Sequence, residues 1–255
     1  MMGKPNKMEH PKQGHDDTRK EVGYAFLHGA GLSPDIWNEV IGTLTAPCLA
    51  LAYPGHDRPE AARHALTLTD YVAELKRQLE AWETERFVLV AHSLGGVPAL
   101  RLAAELPDRV AGLAAVGAVV PRAGGSFLSA LPWPKRLLLS VLLPRTGTRP
   151  PASAIRSGLC GDLPPERADV IVRDFSPESV RVYTDRAEAP VPNVPKLYVK
   201  LTRDREIAPA LQDRMRSNLA PDDVRSLDTG HLPMLGDPRG LGEILRAFRA
   251  GLATV

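Results

Sequence analysis

The sequence predicts an α/β fold: a mostly parallel sheet of about six strands flanked by helices, with a helical cap inserted late in the chain. Short apolar runs alternate with amphipathic stretches along most of its length. Several of those runs stop at a glycine or proline turn and are followed at once by a helix-start signal. The alternation breaks between about 121 and 190, where prolines and glycines crowd and the helical segments look short. Strands separated by helices imply parallel pairing through right-handed crossovers.

Tyr24 to Leu27 reads as a buried strand ending in the turn His28-Gly29-Ala30-Gly31. Ser33-Pro34-Asp35 then supplies a capping hydroxyl, a first-turn proline and an acid near the positive helix end. Trp37, Val40, Ile41 and Leu44 form the inward stripe of that helix. Cys48 to Tyr53 is the second strand, closed by Pro54-Gly55-His56. Thr67 and Asp70 fit a capping box, and the helix they open carries Val72, Leu75, Leu79 and Trp82 on one face. Phe87 to Ala91 is apolar throughout, as a central strand covered on both faces must be. A helix from 94 to 106 and a strand from 110 to 120 follow. In the irregular stretch, helices are expected over 135–143, 164–173 and 177–186. Regularity returns with a strand at 196–201, a helix at 209–219, a strand at 224–227 and a last helix opened by Asp237-Pro238. Leu241, Ile244, Leu245, Phe248 and Leu252 form its inner face.

Composition bounds the function. The chain has 255 residues, enough for one α/β domain, expected over 22–255 with its cap at about 121–190. Residues 1–21 are polar and charged, and read as a disordered leader rather than a signal peptide or anchor. The formal charge is +2, from 32 basic and 30 acidic side chains, which leaves no electrostatic footprint for nucleic acid or an anionic membrane. The apolar run at 137–143 is too short to span a bilayer. Cys48 and Cys160 form no disulfide framework and no metal-ligand spacing, so they are expected to be idle thiols, in keeping with a cytoplasmic setting. Neither a metal nor an organic cofactor is expected. A homodimer is compatible with the sequence and not specified by it.

The segment that carries chemistry is Val88-Leu-Val-Ala-His-Ser93-Leu-Gly-Gly96. A buried strand runs into Ala91-His92-Ser93-Leu94-Gly95 and then a helix, the pattern of a nucleophile elbow with alanine in the first small position. A serine on so sharp a turn needs small residues two positions either side, and Ala91 and Gly95 supply them. A serine hydroxyl is a weak nucleophile without a base. Of seven histidines, His10 and His15 lie in the leader, His28, His56 and His92 belong to turns, and His64 sits in a polar stretch. His231, in a loop after a strand and before the last helix, is the candidate base. Asp204, just beyond the strand at 196–201, is the candidate acid to orient it, ahead of Glu206, Asp185 and Asp228. The backbone N–H groups of Ala30 and Leu94 are the candidate oxyanion donors, each worth about 3 kcal/mol in such sites. Phe127, Leu131 and Trp133 are the candidate lining of an apolar pocket, for a small-molecule ester.

From Val22 onward the chain resembles the α/β-hydrolase superfamily. Its LHGAG, PGH, AHSLGG and TRDREIAP…TGHLPML segments occur in the family's order. Within that superfamily the short cap, the absence of extra N-terminal strands and the pattern Thr202-Arg203-Asp204…Gln212…Met215…Gly230-His231 most resemble small bacterial esterases related to plant methyl-ester hydrolases and hydroxynitrile lyases. The resemblance implies the α/β-hydrolase fold and a triad in the order Ser93, Asp204, His231. Epoxide hydrolases and haloalkane dehalogenases of this fold carry aspartate where this chain has Ser93. Related hydroxynitrile lyases place a lysine after the histidine, and here that residue is Leu232. The expectation is therefore ester hydrolysis through an acyl-enzyme. Thioesterase, lactonase, acyltransferase or cofactor-free perhydrolase chemistry uses the same triad, and a non-catalytic ligand receptor occurs on the same fold.

Overall fold

A computed structural model describes residues 21–55 and 63–252. The leader expected over 1–21 (Glu21 excepted) and His56 of the PGH turn lie outside the described residues. Six parallel strands form one sheet: β1 (Gly23–Leu27), β2 (Cys48–Ala50), β3 (Phe87–His92), β4 (Val110–Val116), β5 (Lys196–Leu201) and β6 (Asp223–Leu227). Their spatial order is β2-β1-β3-β4-β5-β6, and all neighbours run parallel. The chain steps outward from β1 to β2 and then back across to β3. The order therefore reverses at the β1–β3 boundary, where parallel sheets open a crevice at their carboxyl ends.

The interior strands are apolar because both faces are covered. Every residue of β1, β3 and β4 is buried. The two-residue period sends Ala25, Leu27, Leu89 and Ala91 into one core and Tyr24, Phe26, Val88 and Val90 into the other. Helix α1 is a 3-10 turn (Pro34–Trp37) running into one α-turn (Asn38–Ile41), with Trp37 packed against Phe26. Helix α2 (Leu68–Ala81) has both halves of the expected capping box and buries Leu68, Tyr71, Val72, Leu75 and Leu79. Helix α3 (Gly96–Glu105) follows β3, and α9 (Pro209–Leu219), α10 (Pro233–Gly236) and α11 (Pro238–Leu252) complete the sandwich.

Between β4 and β5 the insertion carries α4 (Phe127–Ala130), α5 (Trp133–Thr146), α6 (Ala152–Gly158), α7 (Pro165–Asp174) and α8 (Val180–Thr184). Helix α5 is longer than expected, since Pro134 falls in the first turn, where its missing N–H costs nothing. Its outer face leaves Trp133, Leu137, Leu138, Val141 and Leu142 exposed. Among the described residues no helix is long and apolar enough to cross a membrane.

Two strands end sooner than the sequence predicts. β2 stops at Ala50 because the Gln78 side chain takes over the peptide of Ala52, accepting its N–H at 3.0 Å and donating to its carbonyl at 2.8 Å. β4 stops at Val116 because Gly117 turns the chain with φ +49°, and the Val119 N–H then donates to the Ser93 carbonyl at 2.9 Å. Ser33, expected to cap α1, makes no side-chain cap hydrogen bond.

Two substitutions on α2 separate capping from packing. Thr67→Ala should lower unfolding free energy by about 1 kcal/mol, and Leu75→Ala by about 2–5 kcal/mol. Urea unfolding monitored by circular dichroism reads both. Equal losses from the two would contradict this division.

Candidate active site

Strand β3 delivers Ser93 to the carboxyl edge of the sheet, at the point where strand order reverses. Ser93 adopts φ +52°, a left-handed conformation that costs a non-glycine residue on the order of 1–3 kcal/mol. Its surroundings over-determine that conformation. A 3-10 turn (Ser93–Gly95) leads straight into α3, and the Ser93 carbonyl is held by Val119. A Cβ at Gly95 would stand 2.9 Å from the His28 carbonyl oxygen and 3.0 Å from that of Leu27. The close passage of β1 behind the turn is what demands a small residue there.

His231 lies beyond β6, and its Nε2 stands 3.0 Å from Ser93 Oγ. Its Nδ1 is 2.8 Å from Asp204 Oδ2. An ionised carboxylate can only accept, so Nδ1–H donates to Asp204 and the Nε2 lone pair receives the Ser93 hydroxyl. All three residues are buried. Asp204 is held as firmly as it holds. Its Oδ1 accepts the N–H groups of Glu206 at 2.8 Å and Ile207 at 3.0 Å. Gln212 Nε2 approaches Oδ2 at 3.3 Å while also donating to the carbonyls of Ile207 and Leu201. The rival carboxylates are engaged elsewhere: Asp228 with Thr202 and Arg203, Asp185 with Arg181, Glu206 with Lys135.

His92 does more than fill a turn. Its Nε2 donates to the His231 carbonyl at 2.8 Å, tying the end of β3 to the loop that carries His231. Complete burial holds its pKa well below the ordinary histidine value, and the neighbouring His231 and His28 push it the same way. The imidazole is therefore neutral with the proton on Nε2. The two-residue period of β3 already places residue 92 on the same face as Val88 and Val90, against Trp37. That phase is the signal by which sequence reading could have found it. Gln212 belongs to the pattern of the family resemblance, but its hold on Asp204 is visible only in the structure.

Ser93 and His231 open onto a cavity of about 320 Å³. Gly29 and Ala30 of the loop after β1 line it beside Ser93. Ser176 of the insertion pins that loop, its N–H donating to the Gly31 carbonyl at 3.1 Å. Leu94 follows Ser93 in the 3-10 turn, its side chain buried in the core. Phe127 and Leu131 line the cavity, as do Leu159 and Phe175, which sequence reading passed over. The structure places Trp133 elsewhere: it is 73% exposed and absent from the lining. Helix α5 turns Lys135, Leu139 and Leu143 inward at four-residue spacing. Residue 133 lies about 200° around the helix from residue 135, on the outer face. Among the described residues, Cys48 and Cys160 are free thiols, and no cluster of His, Cys, Asp and Glu is gathered as metal ligands would be.

Residues 25–243 match the description of the alpha/beta hydrolase family. An esterase of Mycobacterium tuberculosis is 39% identical over 95 residues, which span 36% of this chain and 31% of that protein. A haloalkane dehalogenase of Mesorhizobium japonicum is 27% identical over 237 residues, 89% of this chain and 73% of the other. Among solved structures, an extracellular α/β-hydrolase from a Paenibacillus species superposes with a TM-score of 0.80 at 17% identity, covering 89% of this chain and 98% of its own. A pyrethroid hydrolase from Sphingobium faniae gives 0.73 at 21% identity, covering 92% and 100%. At such identities the structural likenesses speak for the fold alone. The family match covers most of the chain, and the protein belongs to the alpha/beta hydrolase family.

Proposed function

We propose that the chain is a serine-dependent carboxylic ester hydrolase acting on small, mostly apolar esters through an acyl-enzyme. The observation that carries this reading is the unbroken hydrogen-bonded series Ser93 Oγ, His231 Nε2, His231 Nδ1, Asp204 Oδ2 at the edge of an apolar cavity.

In this reading Ser93 Oγ attacks the ester carbonyl carbon as His231 Nε2 takes its proton. The carbonyl oxygen becomes an oxyanion, met by the N–H groups of Ala30 and Leu94. The imidazolium returns the proton to the departing alkoxide, leaving an acyl group on Ser93. Water then attacks the acyl carbon, His231 takes a proton from it, and the acid leaves as the Ser93 hydroxyl is restored. Asp204 stays ionised and stabilises the transient imidazolium. Every step is a proton or acyl transfer, so the cycle calls on no metal or organic cofactor. Phe127, Leu131, Leu139, Leu143, Leu159 and Phe175 favour an apolar acyl or alcohol group. We place the protein in the cytoplasm on the strength of its two free thiols.

The haloalkane dehalogenase relative does not redirect this assignment. Displacement of halide by a serine oxygen would leave an alkyl ether, which water does not open under these conditions. An aspartyl ester can be opened, but residue 93 offers a hydroxyl.

A fluorophosphonate probe should label the wild type at Ser93 and leave Ser93→Ala unlabelled, as intact-mass spectrometry would show. A labelled Ser93→Ala would refute the nucleophile. Turnover of p-nitrophenyl acetate beside an acyl-CoA thioester separates esterase from thioesterase, and the ester is expected to react faster.

The neutral state of His92 sets a pH dependence of stability. Its folded pKa is depressed, so the unfolded chain binds a proton that the folded chain refuses. Stability attached to His92 is present above about pH 6.5 and is lost progressively as the pH falls below that value. Urea unfolding at pH 7.5 and 5.5 should show a smaller acid loss in His92→Asn than in the wild type. Identical losses would contradict a neutral His92.

A further inference from the structure

We propose that Asp162, on the insertion between β4 and β5, is a positioning residue for His231, acting through the backbone N–H of Gly230. The inference rests on the reading of His231 as general base and adds a residue that the triad pattern does not contain.

The loop from Asp228 to His231 is gripped at every residue. The Asp228 carbonyl accepts from the Arg203 guanidinium, at 3.1 Å from Nε and 2.5 Å from Nη2. The Thr229 carbonyl accepts the Arg203 N–H at 3.0 Å. The His231 carbonyl accepts from His92. Gly230 is held differently: its N–H donates to Asp162 Oδ2 at 2.5 Å. Arg203 and His92 stand at the ends of β5 and β3. Asp162 comes from the insertion, between α6 and α7.

Gly230 is the joint that most needs a restraint. Glycine has the widest backbone freedom, and this one directly precedes His231. It is not glycine for the sake of a left-handed turn, because its φ is not positive. It is glycine for space: a Cβ there would stand 2.2 Å from Asp162 Oδ1 and 2.6 Å from Asp162 Cγ. The loop thus gives up a side chain so that a carboxylate can reach its backbone.

Asp162 is also an unfavourable residue to keep for folding alone. Its side chain is 13% exposed, and among the described residues the cation that approaches it, Arg203, stands 4.0 Å away. Among the described residues Oδ1 is buried without a hydrogen-bond partner, and so is the hydroxyl of Thr229 beside Gly230. A buried carboxylate with one oxygen unpaired is destabilising. What the arrangement achieves is a fixed peptide plane one residue before a base whose nitrogen must stay about 3 Å from Ser93 Oγ. A displacement of about 1 Å in such a geometry costs on the order of a hundredfold in rate.

The test compares wild type, Asp162→Ala and Asp162→Asn for kcat and KM on p-nitrophenyl acetate, the rate of fluorophosphonate labelling, and Tm. Asp162→Ala should lower kcat and the labelling rate together, by roughly tenfold to a hundredfold, with KM little changed. Asp162→Asn keeps an acceptor oxygen for the Gly230 N–H and should recover most of both rates. If Asp162→Ala does not fold, Asp162→Ser, whose hydroxyl is too short to reach, replaces it. Wild-type rates in the short variant, or a fall in Tm with kcat and labelling unchanged, would overturn the positioning role. An Asn variant as slow as Ala would overturn it too. A wild type that is not labelled at Ser93 would instead remove the hydrolase reading on which the proposal stands.

Discussion

The backbone of Ser93 is the constraint on which the rest of the molecule depends. A left-handed serine between a buried strand and a helix is unstable by itself, and the fold is arranged to leave it no alternative. β1 passes behind the turn closely enough to forbid a side chain at residue 95. The chain after β4 comes back to bond the serine carbonyl, while the hydroxyl meets His231. One strained residue thereby fixes the direction of α3 and the height of a reactive oxygen above the sheet.

The second requirement is electrostatic. A carboxylate as buried as Asp204 would repel its own charge from the interior if it were left unpaired. Here two backbone N–H groups, the Gln212 amide and the His231 ring share it. Gln212 is itself fully buried and fully spent on Leu201, Ile207 and Asp204, so it braces the β5–α9 loop as a unit. The negative charge is kept available to one partner that can become positive, the imidazole, and aimed by partners that cannot.

What the sequence made legible follows from where the information is local. β3, β5 and α9 could be read within a residue or so, because continuous apolar runs and flanking prolines or glycines mark them. The meeting of Ser93, Asp204 and His231 could be read because each follows a strand, and parallel strands bring their carboxyl ends to one edge. The end of β2 could not, since it is set by Gln78, far away in the chain, and β4 ends at Gly117, whose turn is then fixed by the distant Ser93 carbonyl. His92 escaped for the same reason: its partner carbonyl lies 139 positions on. Trp133 was misplaced by helical phase, because an aromatic beside a proline at a helix start says nothing about which way the first turn faces. Asp162 carries no local signal either, as an acid in a proline- and glycine-rich stretch looks like any surface loop.

The division of labour between sheet and insertion explains why the illegible part is concentrated where it is. The sheet edge carries the proposed reactive groups, which need fixed geometry: β3 delivers Ser93, and the loops after β5 and β6 that carry Asp204 and His231 are held by Gln212, Arg203 and His92. The insertion supplies the apolar wall through Phe127, Leu131, Leu143 and Phe175, which needs only volume and hydrophobicity. An insertion that merely covered the site could drift without disturbing the chemistry below it. This one bonds the loop after β1 through Ser176 and the loop after β6 through Asp162. Those two loops flank Ser93 and carry, respectively, the proposed oxyanion donor and the proposed base. The apolar wall and the loops that carry the proposed reactive groups are therefore joined by direct hydrogen bonds, through Ser176 on one side and Asp162 on the other.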